Sequence, residues 1–437
     1  MAINRLLLLL LLLALALPCA HARAAEPSAP LSAEQIDQRI RQHRTAEATL
    51  TVLDAAGQPL AGAEVTAEQK RHKFLFGCNL YAFARCGQPA LEQAYRTQFG
   101  DLLNFATLGF YWSAYERQRG RTQAEYVGSA ADWCRENAIR AKGHPLCWHE
   151  TTPAWLEALS GEQVEQAQWD RIQRDVSQFK GRIDTWDVIN ESVVMPDHQG
   201  GRNPVAAMCR RMGRQRLIEK VFAVARQANP RAALVLNDFE LSERYEAVIR
   251  ECLDAGVGFD VIGLQSHMHG GCWPAERTWR TCERFAKFGK PLHFTEVTVL
   301  SGPRPRPGGP GGRPAGWEST SEGEATQARQ VTEFYRVLFS HPAVEAITWW
   351  DFSDLRAWQG APAGLVRKDM TPKPVYAELK KLIRGQWWTG PTTLRTDSAG
   401  RASFRGFLGE YELRAGPAKA TFTLDKAGTA MTEVHLK

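Results

Sequence analysis

Two glutamates in this chain sit where a protein can do acid–base and nucleophilic chemistry. Glu191 ends the run Thr185-Trp-Asp-Val-Ile-Asn-Glu191, so its carboxyl directly follows a buried apolar strand. Desolvation and a negative neighbour at such a place raise a carboxyl toward the pKa of a working general acid. Glu296 stands past another such run, Leu292-His-Phe-Thr-Glu296-Val. Cleaving a glycosidic bond needs a protonated carboxyl at the leaving oxygen and a second carboxylate at the anomeric carbon, about 5 to 5.5 Å apart when configuration is retained. Charged residues are common where strands emerge into solvent, so either glutamate alone decides little. Asn190, immediately before Glu191, adds an amide able to hydrogen-bond a sugar hydroxyl next to the reacting carbon.

What must position this pair is a repeated unit. Between Lys73 and Trp350 short apolar runs alternate with longer amphipathic stretches, and the runs predict eight strands: Phe74–Asn79, Phe105–Phe110, Ile139–Trp148, Thr185–Asn190, Ala232–Asn237, Val261–His267, Leu292–Val297 and Ala346–Asp351. Continuous apolar strands alternating with helices imply a parallel sheet covered on its outer face, and eight units imply closure into an α/β (β/α)8 TIM barrel. The polar residues that interrupt the pattern fall at strand C-terminal ends: His144, Trp148, Asn190, Glu191, Asn237, Asp238, Gln265, His267 and Glu296. In such a barrel that end is the catalytic face.

The segments around these residues resemble glycoside hydrolase family 10, the endo-β-1,4-xylanases, over essentially the whole barrel. Gly143-His-Pro-Leu-Cys-Trp-His149 is similar to that family's segment after the third strand, Asp187-Val-Ile-Asn-Glu191 to its acid/base segment, Gly263-Leu-Gln-Ser-His267 to its Gly-x-Gln-x-His segment, and Thr295-Glu296 to its nucleophile segment. The tryptophans of Ile347-Thr-Trp-Trp-Asp-Phe-Ser-Asp-Leu-Arg-Ala-Trp358 look like the family's pair after the eighth strand. The resemblance implies Glu191 as general acid/base and Glu296 as nucleophile. It also implies that His144 and Trp148 line the glycone subsite, Asn190 holds the 2-hydroxyl, and Gln265 with His267 contacts the sugar and orients the nucleophile. Trp350 and Trp358 would stack on sugar faces, whereas Trp349, one residue away on the strand, would point into the wall. No metal or organic cofactor is expected.

The stretch after the second strand departs from the family. Where the family carries a Glu-Asn pair and a Lys before Trp, this chain reads Ala106-Thr-Leu-Gly-Phe-Tyr-Trp112, and Phe239 follows Asn237-Asp238 where Tyr is common. Lost hydroxyl-binding groups penalise the usual sugar. Three readings therefore stand: a retaining endo-hydrolase of xylan, the same mechanism on a different or decorated β-linked polysaccharide, and a non-catalytic glycan-binding protein.

The flanks do not belong to the barrel pattern. Ala48–Val65 and the tail from Thr392 both read as short alternating strands and turns. Joined, they resemble one small accessory β-sandwich of the carboxypeptidase regulatory-like kind that the barrel interrupts. The expected division is a signal peptide at 1–25, linker and accessory strands at 26–70, the barrel at 71–387 and accessory strands at 388–437. Ser301–Gly323, rich in Pro, Gly and Arg, reads as a long surface loop beside the site or as disorder without function.

Arg5, the Leu/Ala run to Leu17 and the small residues to Ala25 form a secretory leader, implying a periplasmic or extracellular protein that leaves the membrane once cleaved. The 54 basic and 48 acidic residues are spread along the chain, which excludes a nucleic-acid arm and leaves a neutral polysaccharide as partner of an expected monomer. Beyond Cys19 an even set of cysteines permits disulfides. Cys78 with Cys86 and Cys272 with Cys282 are close enough to clip local loops, while Cys134, Cys147, Cys209 and Cys252 read equally well as buried thiols.

Overall fold

The computed structural model describes residues 31–304 and 317–437. The leader at 1–25 and the middle of the Pro/Gly/Arg-rich loop lie outside the described residues. Strands β1 (Thr45–Leu53) and β2 (Glu64–His72) come first. They are followed by β3 (Leu75–Asn79), β4 (Phe105–Gly109), β5 (Arg140–His144), β6 (Thr185–Asn190), β7 (Ala233–Asp238), β8 (Val261–Leu264), the two-residue β9 (His267–Met268), β10 (Leu292–Val299) and β11 (Val344–Trp349). Neighbours from β3 to β8 pair in parallel, β8 pairs with β10, and β11 joins both β10 and β3, so the sheet closes into an eight-stranded barrel.

The strands are short apolar runs because both faces are covered: every residue of β8 and β10 is buried. Helices supply the outer cover. Helix Arg214–Ala228 turns Leu217, Ile218, Val221, Phe222 and Ala225 inward at helical spacing. Helix Gly161–Gln178 starts at Ser160 and Gln163, which cap each other's backbone. At one place only glycine fits, since a Cβ on Gly143 would lie 2.2 Å from the Trp186 ring of the next strand.

Two strands end earlier than their apolar runs. Pro145 has no N–H to extend the ladder past His144, so β5 stops there. The run Val261–His267 breaks at Gln265-Ser266, and the chain rejoins at β9, where His267 and Met268 pair with Thr298 and Val299. The Gln265 N–H still donates to the Asp238 carbonyl (3.0 Å), while its side-chain amide turns toward Glu191.

The tail forms β12 (Thr392–Arg395), β13 (Arg401–Phe407), β14 (Gly409–Ala415), β15 (Ala418–Leu424) and β16 (Gly428–His435). These strands make two sheets with the N-terminal pair, ordered β13-β1-β16 and β12-β2-β14-β15. β1 runs antiparallel to β13 and parallel to β16, and β2 lies between β12 and β14. Alternate residues face a shared core of Leu50, Val52, Val65, Ala67, Tyr411, Leu413 and Leu424. The result is an accessory sandwich assembled from the two flanks.

The segment 26–70 is not only linker and strands. Helix Ala33–Arg44 lies within it, and its Ile36 and Ile40, one turn apart, join the barrel core rather than the sandwich core. At its end the buried Arg44 guanidinium donates to the carbonyls of Phe339 (2.6 Å), His341 (2.6 Å) and Val344 (2.8 Å). It thereby satisfies the end of helix Ser321–Ser340 and the start of β11. That helix begins at Ser321, so the loop read as reaching Gly323 ends sooner, tied at its base by Ser301 and Ser319, whose hydroxyls are 2.5 Å apart.

The local disulfides do not form, and all eight described cysteines are free. The thiols point to separate places. Cys78 is buried in the core on β3 and Cys86 donates to the Ala82 carbonyl at 3.4 Å. Cys282 is buried under its helix, while the Cys272 thiol reaches the carbonyls of Trp273 and Gln330. Among the described residues no helix is long and apolar enough to cross a membrane.

Arg44→Ala leaves three buried carbonyls without their donor. It should lower unfolding stability by about 3 kcal/mol or more, measured by urea denaturation, and a loss below 1 kcal/mol would show that these bonds contribute little.

Candidate active site

Glu191 follows β6 in the left-handed region, φ 57°, a conformation that costs a non-glycine residue about 1–3 kcal/mol and needs surrounding structure to hold it. Its N–H donates to the Asn237 carbonyl (2.9 Å), which fixes the turn. The carboxylate accepts from the Trp148 indole at 2.9 Å on Oε2, and from Asn190 Nδ2 (3.1 Å) and Gln265 Nε2 (3.2 Å) on Oε1. Burial pushes its pKa up to about 7, with the charges of Glu296 and Asp238 adding to the rise and the Trp148 and Gln265 bonds opposing it.

Glu296 comes from the middle of β10 and is only 3% exposed. Its Oε1 accepts from Asn237 Nδ2 (2.9 Å) and its Oε2 lies 3.0 Å from His267 Nε2. Burial works to raise its pKa, yet His144, His267 and Lys142 together outweigh it and hold the carboxyl below its ordinary value. Two carboxyls in one buried site are thus driven apart: one toward the acid, the other toward the anion.

A chain of buried amides joins them. Asn237 Nδ2 donates to both Glu296 and Asn190 Oδ1 (2.7 Å), while Gln265 Nε2 donates to Asn190 Oδ1 (3.1 Å) as well as to Glu191. Thr295 donates to Asn237 Oδ1 (2.7 Å), completing that amide. Gly263 leaves Asn237 its space, since a Cβ there would lie 2.4 Å from Asn237 Oδ1.

The histidines are oriented from behind. His144 Nδ1 and Lys142 Nζ both meet Asp187 Oδ2, at 2.8 and 2.7 Å, in a fully buried group. His267 Nδ1 is 2.9 Å from the Thr298 hydroxyl. Asp187 fixes the His144 ring and offsets the Lys142 charge inside the barrel.

Aromatic rings form the wall. Trp350 meets Tyr81, His144 and His267 edge-on, at centroid distances of 5.6, 5.4 and 5.5 Å. It is 4% exposed, so it is an enclosed wall residue rather than the open platform its position in the sequence suggested, whereas Trp358 is 44% exposed beside His267. Trp349 is fully buried and donates to the Ala363 carbonyl. Tyr111 stands against His144 and Trp148, and Tyr81 donates to its hydroxyl at 3.3 Å. Phe239, 48% exposed, lies at the rim.

Every residue selected from the sequence as catalytic or substrate-binding thus lies at the C-terminal mouth of the barrel: Glu191, Glu296, His144, Trp148, Asn190, Gln265, His267, Trp350 and Trp358. Sequence reasoning passed over Lys142, Asp187, Thr295, Tyr81 and Tyr111 as site residues. A Lys and an Asp inside two adjacent apolar strands were the available signal for the first two. Three metal-capable side chains also gather nearby, with ligand atoms of His149, Glu150 and His198 all within 4.8 Å of one another.

The sequence profile of glycosyl hydrolase family 10 matches residues 67–382. Among curated relatives, anti-sigma-I factor RsgI6 of Acetivibrio thermocellus is 24% identical over 417 residues, covering 92% of this chain and 50% of its own length. Endo-1,4-beta-xylanase B of Thermotoga neapolitana is 28% identical over 286 residues, 62% of this chain and 78% of its own. The chain therefore spans about half the length of the first relative. Native xylanase 10B from Thermotoga maritima superposes with a TM-score of 0.60 at 26% identity, covering 72% of this chain and 96% of that one. Xylanase 10B from Thermotoga petrophila, solved with xylobiose, gives 0.59 at 25% identity over 72% and 95%.

Because the Glu296 charge adds to the rise of Glu191, Glu296→Gln should move the Glu191 pKa downward from about 7. Carbon-13 NMR titration of the Glu191 carboxyl reads this, and an unmoved midpoint would leave burial and the Asp238 charge to account for the rise.

Proposed function

Because the chain belongs to glycosyl hydrolase family 10, we propose that it hydrolyses internal β-1,4 bonds of xylan with retention of configuration, Glu191 serving as general acid/base and Glu296 as nucleophile. The observation that carries the assignment is the placement of both carboxyls in one network of amides and His267 at the barrel mouth, which suits the raised Glu191 and the lowered Glu296. In the first step a Glu296 oxygen bonds to the anomeric carbon as the glycosidic bond breaks, and the leaving oxygen takes the Glu191 proton. In the second, Glu191 takes a proton from water, whose oxygen displaces Glu296 from the sugar. Asn190, whose Oδ1 is already engaged by two amides, is held to meet the hydroxyl beside the reacting carbon. His144, Trp148, Gln265, His267, Trp350 and Trp358 bind the sugar, and His267 keeps the nucleophile oxygen in place. A purely binding role does not account for this tuning, because glycan recognition needs neither a raised nor a lowered carboxyl.

One observation favours a second reading of the substrate. Beside His144 and Trp148, where the family places Lys, stands Tyr111, hydrogen-bonded to Tyr81. The stretch Ala106–Trp112, which lacks the family's Glu-Asn pair, holds Thr107 and Leu108 buried. A wall of rings offers stacking and few hydroxyl partners, which suits a substituted xylose or another β-linked sugar with an extended apolar face.

Residues 1–25 act as a cleaved secretory leader, and the enzyme works outside the cytoplasm as a monomer. The sandwich, of the carboxypeptidase regulatory-like kind, supports the barrel, its core strands offering no row of exposed rings for a glycan.

Incubating the enzyme with xylan and with decorated β-glycans, then sizing the products, tests the assignment, and oligosaccharides of several lengths are expected from at least one polymer. Glu191→Ala should reduce turnover of the polymer by about 10²–10⁴-fold and spare substrates with good leaving groups. Glu296→Gln should abolish turnover with the fold intact, and substantial residual activity would refute its role. The rate should fall as pH rises through about 7, where the acid form of Glu191 is lost, and it should persist below the ordinary carboxylate range, where Glu296 remains ionised.

A further inference from the structure

His149 and Glu150 follow β5, and His198 lies in the short helical segment Met195–Gly201 just beyond Glu191. The two imidazoles face each other with centroids 4.3 Å apart and planes at 54°. Glu150 Oε1 is 3.6 Å from His198 Nδ1 and 4.0 Å from His149 Nε2, and Glu191 Oε2 is also 4.0 Å from His149 Nε2. These separations are too long for hydrogen bonds. Zinc–nitrogen and zinc–oxygen bonds are about 2.0–2.2 Å, so the donors of a tetrahedral set stand about 3.4 Å apart, and the 3.6 and 4.0 Å separations from Glu150 must each close by a few tenths of an ångström.

The rings are free to ligate. His149 is 1% exposed, yet its Nδ1 has no hydrogen-bond partner among the described residues, and neither has His198 Nε2. These are the nitrogens away from Glu150; with neither tautomer fixed by a hydrogen bond, each ring can carry its proton there and turn a lone pair toward the carboxylate, His149 through Nε2 and His198 through Nδ1. Glu150, whose side chain is 46% exposed, has room to move toward the rings.

We propose that His149, Glu150 and His198 form a site for a borderline divalent transition cation of the zinc class, and that the ion bound there inhibits hydrolysis. Two imidazoles and a carboxylate are a donor set that suits such a metal and discriminates against calcium and magnesium. A double positive charge next to Glu191 favours its carboxylate and so removes the proton that the leaving oxygen needs. Binding stands on the geometry alone, and inhibition rests on the role proposed above for Glu191.

The test uses the full chain stripped with chelator. Isothermal titration with zinc chloride should give one saturable site, and cobalt(II) should develop the visible absorption of a low-coordinate ion. H198A and E150Q should each weaken zinc binding by about tenfold or more while leaving metal-free hydrolysis of xylan unchanged. Zinc should inhibit the wild type and spare H198A. Absence of a saturable site, or equal binding by both variants, overturns the metal site. Binding that is lost in the variants but leaves hydrolysis unaffected overturns the inhibitory half. The binding arm decides the site even for a chain that hydrolyses nothing.

Discussion

Two buried carboxylates repel each other, and the barrel mouth resolves that repulsion by unequal treatment. Glu296 receives the positive side of the site, with His267 in contact and His144 and Lys142 acting through space. Glu191, also desolvated, receives negative neighbours instead. Much of the surrounding structure follows. Lys142 can sit inside a barrel strand because Asp187 sits on the next, and Asp187 in turn directs His144. The amides of Asn190, Asn237 and Gln265 span the gap without adding charge, so they position both oxygens without erasing the difference.

Much of this was legible in the sequence, for a physical reason. Strands buried on both faces must be almost wholly apolar, so a polar residue at the end of one is conspicuous. Thr185–Asn190 was read at its observed bounds, and Glu191 and Glu296 stood out against it and its counterpart. What stayed hidden depends on register between neighbours. Lys142 is intelligible only beside Asp187, and a single strand's pattern carries no information about the next. Helix Ala33–Arg44 escaped notice because only Ile36 and Ile40 are apolar along a polar surface, enough to dock two turns and too few to announce a helix. Trp350 shows the same limit: alternation puts it and Trp349 on different faces, but not that Tyr81 arrives from the turn after β3 to enclose it.

After β4 the barrel mouth is lined by rings. Tyr111 is fastened to Tyr81 and set against His144 and Trp148. A hydrogen-bonded ring pair is stiff, so what it admits is decided by shape, whereas a lysine would have adapted to its ligand. The reacting end of the site, held by other strands, is untouched by that exchange.

The sandwich has a consequence in time. β1 is made before the barrel, but its neighbours on both sides, β13 and β16, are made after it. Until then both of its edges are open, which is the state that invites pairing with other chains. The barrel must fold, or at least bring its ends together, while this strand waits, and a ribosome that stops early releases a chain whose first strand can never be satisfied. β16 is therefore a clasp that shuts only after the barrel has been made, and an unfastened β1 is the kind of exposed edge that cellular proteases and chaperones detect.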